Sequence, residues 1–140
     1  MSHQIRVVVA DAHPLIRVGV EQMLETEADM SLLGEAVSLS QAINICQSLE
    51  AHILLLASNL PDYDPVESVL RVRRKCPGTN VLILTFDDNQ ARVRAALNAG
   101  AAGYVLKHER TDTILRVMRT IAKGTPWTTQ AWPGVSATQA

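Results

Sequence analysis

The chain has 140 residues, a length typical of one domain, and carries 13 Lys and Arg residues against 14 Asp and Glu residues. Hydrophobic residues make up 47% and charged residues 19%, a composition typical of a soluble globular domain that excludes a disordered chain. The formal net charge of −1 gives no indication of nucleic acid, an acidic membrane surface or a polyanionic substrate as a partner.

Strand-length apolar runs alternate with stretches of helical period along most of the chain. The runs are rich in β-branched residues and nearly continuous, as expected for strands that are buried on both faces. The five predicted strands are Ile5–Ala10, Leu32–Val37, Ile53–Ala57, Val81–Phe86 and Tyr104–Lys107.

Helix signals follow each of these strands. Proline suits a first turn, serine, threonine and asparagine cap a first turn, and glycine ends a last turn. The predicted starts or caps are Pro14, Ser40, Pro65, Asn89 and Thr111. The predicted ends of the last three helices are Pro77-Gly78, Gly100 and Gly124.

Five βα units in a row predict a parallel sheet with helices on both faces. In such a sheet the site lies at the carboxyl ends of the strands. Residues 1–124 are therefore expected to form one domain, and residues 125–140, rich in Thr, Pro, Gly, Gln and Ala, to form a linker or tail.

Targeting segments and metal motifs are not apparent in the sequence. No apolar run approaches the roughly 18 residues of a spanning helix, and the opening MSHQIRVVVADAHP has no basic region typical of a signal peptide. Cys46 and Cys76 form no CxxC, so we expect neither a metal knuckle nor a disulfide framework. We therefore expect a cytoplasmic protein with no cofactor, no bound metal and no membrane contact.

Four segments carry a resemblance to a known family: IRVVVADAHPLIRVGVEQML, HILLLASNLPDYDP, VLILTFDD and ALNAGAAGYVLKHE. Over roughly residues 4 to 124 the chain resembles the receiver domain of two-component response regulators, and is most like the receivers of LuxR/NarL-type transcription factors. The resemblance implies a CheY-like, flavodoxin-like (βα)5 sandwich of three layers, with a five-stranded parallel sheet in the order 2-1-3-4-5.

Receivers of this family move a phosphoryl group from a histidine kinase onto an aspartate at the end of the third strand. Two acids after the first strand hold Mg²⁺, which neutralises the phosphoryl group, and a lysine after the fifth strand pairs with its charge. Position by position, the resemblance places Asp11 on the first Mg²⁺ acid, Ala12 on the second, Ala57 on the phosphoacceptor, Thr85 on the switch hydroxyl and Lys107 on the pairing lysine. Tyr104 falls on the aromatic whose rotamer reports activation in the family.

Two of the three expected acids are therefore absent, and an alanine methyl group cannot accept a phosphoryl group. A register shift by one would put Ser58 at the acceptor position, but the family pattern acid-x-N-x-Pro matches residues 57–61 without gaps. Asp11 alone makes a poor Mg²⁺ site. Without a phosphate to bind, Lys107 is expected to pair with Asp11.

The other polar residues near the strand ends are given structural interpretations. Asp62 and Asp64 are interpreted as solvated turn acids, and Asp87 and Asp88 as a loop and cap before the fourth helix. His13 is expected to pack and hydrogen-bond locally.

The histidines His3, His52 and His108 show no ligand spacing. Arg71, Arg73, Arg74 and Lys75 complement a helix dipole at a helix end and form no nucleic-acid footprint. Trp127 and Trp132 fall in the tail.

Three hypotheses remain. The first is an atypical receiver that cannot be phosphorylated and signals through a protein partner or a homodimer, using the surface around Tyr104, the fourth helix and the last helix. Such a domain would be the input domain of a transcriptional regulator, with DNA contacted only through a domain that is not in this chain.

The second hypothesis is a small-ligand sensor or enzyme using the vestigial strand-end pocket, although no nucleophile with a positioned base is found and no enzyme is expected. The third is that Ala12 and Ala57 were introduced into an ordinary receiver.

Overall fold

The buried strands form because apolar, β-branched runs pair side by side with a helix covering each face. The computed structural model describes residues 4–86 and 89–124. The strands are β1 (Ile5–Ala10), β2 (Met30–Ala36), β3 (Ile53–Ala57), β4 (Asn80–Thr85) and β5 (Gly103–Leu106). The helices are α1 (Pro14–Glu25), α2 (Leu39–Leu49), α3 (Glu67–Lys75), α4 (Gln90–Ala99) and α5 (Thr111–Ala122).

All the strand pairs are parallel, and the order in the sheet is β2-β1-β3-β4-β5. This confirms the predicted (βα)5 architecture and its order 2-1-3-4-5. Helix α3 packs between α2 and α4 on one face, while α1 and α5 share a groove on the other. The three central strands supply the middle of the core, where residues 7–10 and 53–57 have no exposed surface.

The structure corrects several predicted boundaries. Strand β2 begins at Met30, two residues before the predicted start. Strands β4 and β5 each end one residue earlier than predicted, at Thr85 and Leu106. The predictions for β1 and β3 are confirmed at both ends.

Three predicted helix starts were wrong, because other side chains or backbone groups cap those helices. The cap of α2 is Ser38 rather than Ser40: the Ser38 side chain accepts the Gln41 N–H at 3.1 Å, and Gln41 Oε1 accepts the Val37 N–H at 2.9 Å. The arrangement resembles a capping box, except that Gln41 binds the N–H of the residue before the cap.

The other two wrong starts are at α3 and α5. Helix α3 begins at Glu67 rather than at Pro65, since Asp64 Oδ2 accepts the N–H groups of Val66 and Glu67. Thr111 is the first residue of α5 rather than its cap, because the extended residue Arg110 precedes the first turn.

The predicted signals at α1 and α4 are confirmed. Pro14 occupies the first turn of α1. Asn89 caps α4 by accepting the Arg92 N–H at 3.2 Å. Gly100 ends α4 with a φ of 116°, a backbone conformation that favours glycine.

An ion cluster connects the last helix, α5, to the segment between α1 and β2. Arg119 of α5 donates from Nε and Nη2 to the two carboxylate oxygens of Asp29, at 2.8 and 2.9 Å, and also binds Glu27. Hydrogen bonds from Arg119 are the main cause that lowers the pKa of both acids. The α1–β2 connection is therefore held by a residue far along the chain.

Some predictions fall outside the described residues. They concern His3, Asp87, Asp88, the tail from 125 to 140 and its two tryptophans. Among the residues that are described, no helix combines the length and hydropathy needed to cross a bilayer.

Candidate functional site

The predicted site residues meet at the carboxyl edge of the sheet. Asp11 directly follows β1, Ala57 ends β3, Thr85 ends β4 and Lys107 directly follows β5. These four strands are consecutive in the sheet. Because the strands are parallel, their ends lie side by side at one edge.

Asp11 and Lys107 form an ion pair that is removed from solvent. The Lys107 Nζ lies 2.6 Å from Asp11 Oδ2, and the two side chains are 2% and 0% exposed. Asp11 Oδ2 accepts no hydrogen bond of regular geometry from any described group, so the nearby ammonium is what balances its charge. The pairing expected from the sequence is present in the structure.

The other oxygen of Asp11 is also occupied. Asp11 Oδ1 accepts the His13 N–H at 2.8 Å and the Asn59 Nδ2 at 3.1 Å. The Asn59 amide nitrogen lies 2.7 Å from His13 Nδ1, so the imidazole nitrogen accepts when the amide donates. His13 therefore hydrogen-bonds locally, as predicted, and Asp11 is bound from within the chain on both oxygens.

A hydroxyl pair closes the neighbouring part of the edge. Ser58 Oγ and Thr85 Oγ1 are 2.8 Å apart, and Thr85 is 3% exposed. The Lys107 N–H also donates to the Thr85 carbonyl at 2.7 Å, which ties the ends of β4 and β5 together. The cavity beside the two hydroxyls has a volume of about 20 Å³, enough for a single water molecule.

The alanine positions supply no ligand atoms to this edge. Ala57 is fully buried and presents only a methyl group, while Ala12 is exposed. Mg²⁺ binds through carboxylate oxygens in octahedral geometry. Among the described residues Asp11 is the one carboxylate of this cluster, and it is already paired with Lys107. The described residues also contain no group of three or more His, Cys, Asp or Glu side chains that could bind one metal ion together. The described residues do not fit a Mg²⁺ ion.

The aromatic residues Phe86 and Tyr104 have opposite exposure. Phe86 is 59% exposed, and its ring centroid lies 5.1 Å from Lys107 Nζ, within the range of a cation–π contact. Tyr104 on β5 is 2% exposed, so its side chain is directed into the fold. The ammonium of Lys107 therefore contacts an aromatic ring in addition to the carboxylate of Asp11.

The acids of the β3–α3 loop have roles that the sequence analysis missed. Asp62 accepts the N–H groups of Leu39 and Ser40, at 2.8 and 3.2 Å, and so caps α2 from a distant loop. Burial is the largest influence and would raise the pKa of Asp62. The hydrogen bonds from Leu39 and Ser40, together with its own N–H and the charge of Arg71, outweigh burial and lower the pKa below its ordinary value. Asp64 caps α3, and its own N–H donates to Ser68 Oγ at 2.8 Å. The interpretation of both acids as solvated turn residues was incomplete.

Two of the four basic residues in the run of α3 make contacts within the fold. Arg73 donates to the Ala99 carbonyl at 3.1 Å, at the end of α4. Arg74 pairs with Glu67 at 3.1 Å on the helix surface. These contacts agree with the structural interpretation of the run.

Comparison with known proteins gives consistent results. Residues 7–119 match the family model described as the response regulator receiver domain. The nitrate/nitrite response regulator protein NarP of Escherichia coli (strain K12) is 33% identical over 119 residues, which cover 85% of this chain and 55% of that protein. This chain spans about half the length of the curated relatives it matches.

Solved structures agree in fold. The signal receiver domain of the putative response regulator NarL from Mycobacterium tuberculosis superposes with a TM-score of 0.82 at 33% identity, covering 87% of this chain and 98% of that chain. A structure of two RcsB dimers bound to two parallel DNAs gives a TM-score of 0.81 at 26% identity, covering 89% of this chain and 63% of that chain.

Proposed function

The chain belongs to the family of response regulator receiver domains, of the NarL/LuxR type, and we propose that it is an atypical receiver whose output does not depend on phosphorylation. Its relatives are signalling proteins rather than enzymes. In this proposal, contacts within the chain stabilise one conformation of the receiver, and a protein partner or a second copy binds that conformation.

The observation that carries the proposal is the pair of alanines at the carboxyl edge. Phosphoryl transfer in a receiver forms a bond between phosphorus and a carboxylate oxygen, and Ala57 offers no side-chain oxygen at the end of β3. Ala12 removes a second carboxylate that would help to hold Mg²⁺. The described residues therefore supply neither a carboxylate at the acceptor position nor the second carboxylate for Mg²⁺.

The contacts around the alanines support one fixed conformation. The positive charge of Lys107 is balanced by Asp11 at 2.6 Å without a phosphoryl group. Thr85 is hydrogen-bonded to Ser58 at 2.8 Å, so the hydroxyl is held toward β3 by this chain itself. Both interactions replace, with internal partners, contacts that a phosphoryl group makes in an ordinary receiver.

Signalling would then proceed by contact with a protein partner or a second copy of the chain. The RcsB structure that resembles this fold contains dimers bound to DNA. For this chain we propose association through the surface around Tyr104, α4 and α5, with DNA contacted only through a separate domain. The partner and the output are part of the proposal.

A direct test is incubation of the protein with acetyl phosphate and Mg²⁺, followed by intact mass spectrometry. We expect the mass to stay that of the unmodified chain. A stoichiometric phosphorylated species would overturn the proposal, and its loss in the Ser58→Ala variant would locate the transfer on that hydroxyl.

A ligand sensor or enzyme at the same edge has less support. The cavity beside Ser58 and Thr85 holds about one water molecule, and their hydroxyls bond to each other. Neither hydroxyl therefore has room beside it for an organic substrate.

A further inference from the structure

A larger cavity lies at the opposite, amino edge of the sheet. Its volume is about 380 Å³, which falls within the range of small-molecule sites. It opens where α2 and α3 end and where β1, β3 and β4 begin. The function proposed above makes no use of it.

Two cationic side chains line this cavity, against one carboxylate among the described lining residues, that of Glu50. Lys75, at the end of α3, makes no hydrogen bond or ion pair with the part of the chain that the structure describes. Arg6 uses one N–H for the Glu50 carbonyl, at 2.6 Å, and a guanidinium has five N–H donors in all. The lining therefore has an excess of positive charge and free donor groups.

The imidazole of His52 adds another donor. Its Nδ1 accepts the backbone N–H of Arg6 at 3.0 Å, so the hydrogen of the neutral ring is on Nε2. Burial is the main cause that lowers the pKa of His52, and the neighbouring Arg6 charge lowers it further. The ring therefore stays neutral near pH 7 and presents one N–H.

The position of Arg6 is fixed by an unusual backbone conformation. Glu50 follows α2 with a φ of 54°, the one described non-glycine residue with a positive φ. After a helix, glycine is the residue that most often adopts this left-handed conformation. A non-glycine residue keeps it where surrounding contacts stabilise it. The bond from Arg6 to the Glu50 carbonyl is such a contact, and it orients the guanidinium at the cavity wall.

The inner wall of the cavity is apolar. Cys46, Ala51 and Cys76 line it and are almost fully buried. Burial raises the pKa of Cys46 to about 12 and also raises the pKa of Cys76, so both thiols are uncharged. A ligand here would place an apolar body on this wall and its charge toward the cationic side chains.

We propose that this cavity binds a small organic anion, with one carboxylate or phosphate group attached to an apolar body. The charged group is bound by Lys75, Arg6 and the His52 N–H, and the apolar body lies against the buried thiols. This site is distinct from the carboxyl edge. It would give a receiver that takes no phosphoryl group a separate chemical input.

The test is a titration of the ¹⁵N-labelled protein followed by ¹H–¹⁵N correlation spectra. The probes are benzoate, phenyl phosphate, inorganic phosphate and the neutral compound benzyl alcohol. We expect saturable shifts of the amides of residues 50–52 and 75–79 with benzoate or phenyl phosphate. The stronger of those two identifies the preferred charged group, and benzyl alcohol should leave the same amides unchanged.

Matched variants locate the site. Lys75→Gln should weaken binding about tenfold, the loss expected for one charge-assisted contact, and Lys123→Gln at the end of α5 should leave it unchanged. Lys75 is exposed and unpaired within the described chain, so its replacement should not affect folding.

Three results would overturn the proposal. They are no saturable shift with either organic anion, equal binding by Lys75→Gln and the parent, or shifts confined to the carboxyl edge. Equal shifts with inorganic phosphate would show an adventitious ion only. The acetyl phosphate experiment is independent of each of these outcomes.

Discussion

The ammonium of Lys107 lies 2.6 Å from a carboxylate oxygen of Asp11, with both side chains removed from water. A buried pair of this kind differs from a surface ion pair, because neither charge can be solvated when its partner is lost. The carboxyl edge of the sheet therefore depends on two residues that act together.

Replacing Lys107 with methionine should be strongly destabilising. The change leaves the buried Asp11 carboxylate without its counter-charge, at an expected loss of about 3–5 kcal/mol in the free energy of unfolding. Urea denaturation followed by circular dichroism measures this loss.

Two further variants make the result specific to the pair. Lys123→Met, at an exposed position, should change stability by no more than about 0.5 kcal/mol. Combining Asp11→Asn with Lys107→Met should cost less than the sum of the two single changes. A loss below about 1 kcal/mol for Lys107→Met would contradict this role of the pair.

Restoring two acids, with Ala12→Asp and Ala57→Asp together, should create a Mg²⁺ response. Ala57 is fully buried and ends the strand next to Asp11, so the new carboxylate is desolvated and close to a like charge, and the variant should be less stable without metal. Mg²⁺ at a hundred times its Kd should return about 2.7 kcal/mol of stability. The measurement is thermal unfolding with Mg²⁺ or EDTA, and a parent chain that responds equally would refute the prediction.

Asp62→Ala should weaken the start of α2. The expected loss is about 1 kcal/mol near pH 7, typical for removal of a helix cap. Because the folded-state pKa of Asp62 is lowered from its ordinary 3.8, its contribution is complete above the unfolded-state pKa and is lost as pH falls through the folded-state pKa. Unfolding curves of the parent and the variant should therefore converge in acid, and a constant difference down to the lowest pH would disagree.

Gly100→Ala and Gly19→Ala should change stability in opposite directions. At Gly100 the φ of 116° is strained for alanine, and an added Cβ would overlap the Arg73 guanidinium, for a loss of about 1–3 kcal/mol. At Gly19, within α1, an added Cβ meets nothing within 4 Å, and stability should rise by about 0.5–1 kcal/mol. Equal effects of the two changes, measured by urea denaturation, would contradict both arguments.

The two thiols should resist modification in the folded protein. Burial raises the pKa of Cys46 to about 12, so almost none of it is thiolate at pH 8. Ellman's reagent should label neither cysteine in buffer and both in guanidinium chloride. Rapid labelling of the folded chain would contradict the raised pKa and the burial of both thiols.

The fold and the principal ion pair could be predicted because they follow from local patterns and parallel topology. The run Ile53–Ala57 is apolar throughout, and the structure gives it the predicted boundaries. Lys107 and Asp11 follow strands whose carboxyl ends share one edge, so their meeting follows from the order of the sheet.

The capping interactions were harder to predict because several side chains compete for the same N–H groups. Ser38 and Ser40 both precede an apolar stripe, and the partner Gln41 favours Ser38. Asp62 caps α2 from a loop 23 residues away along the chain, which no local pattern reveals. The amino-edge cavity likewise combines groups from five elements or their ends, and no local pattern predicts that Arg6, His52 and Lys75 lie together.

The contact of Arg119 with Asp29 can form only late in the synthesis of the chain. The two residues are 90 positions apart, and a ribosome that adds 5–20 residues per second needs roughly 5–20 s to pass from one to the other. Until α5 emerges, Asp29 and Glu27 lack the Arg119 guanidinium that binds them in the fold. Helix α5 is synthesised after all five strands, yet its Arg119 stabilises the connection between α1 and β2, near the start of the chain.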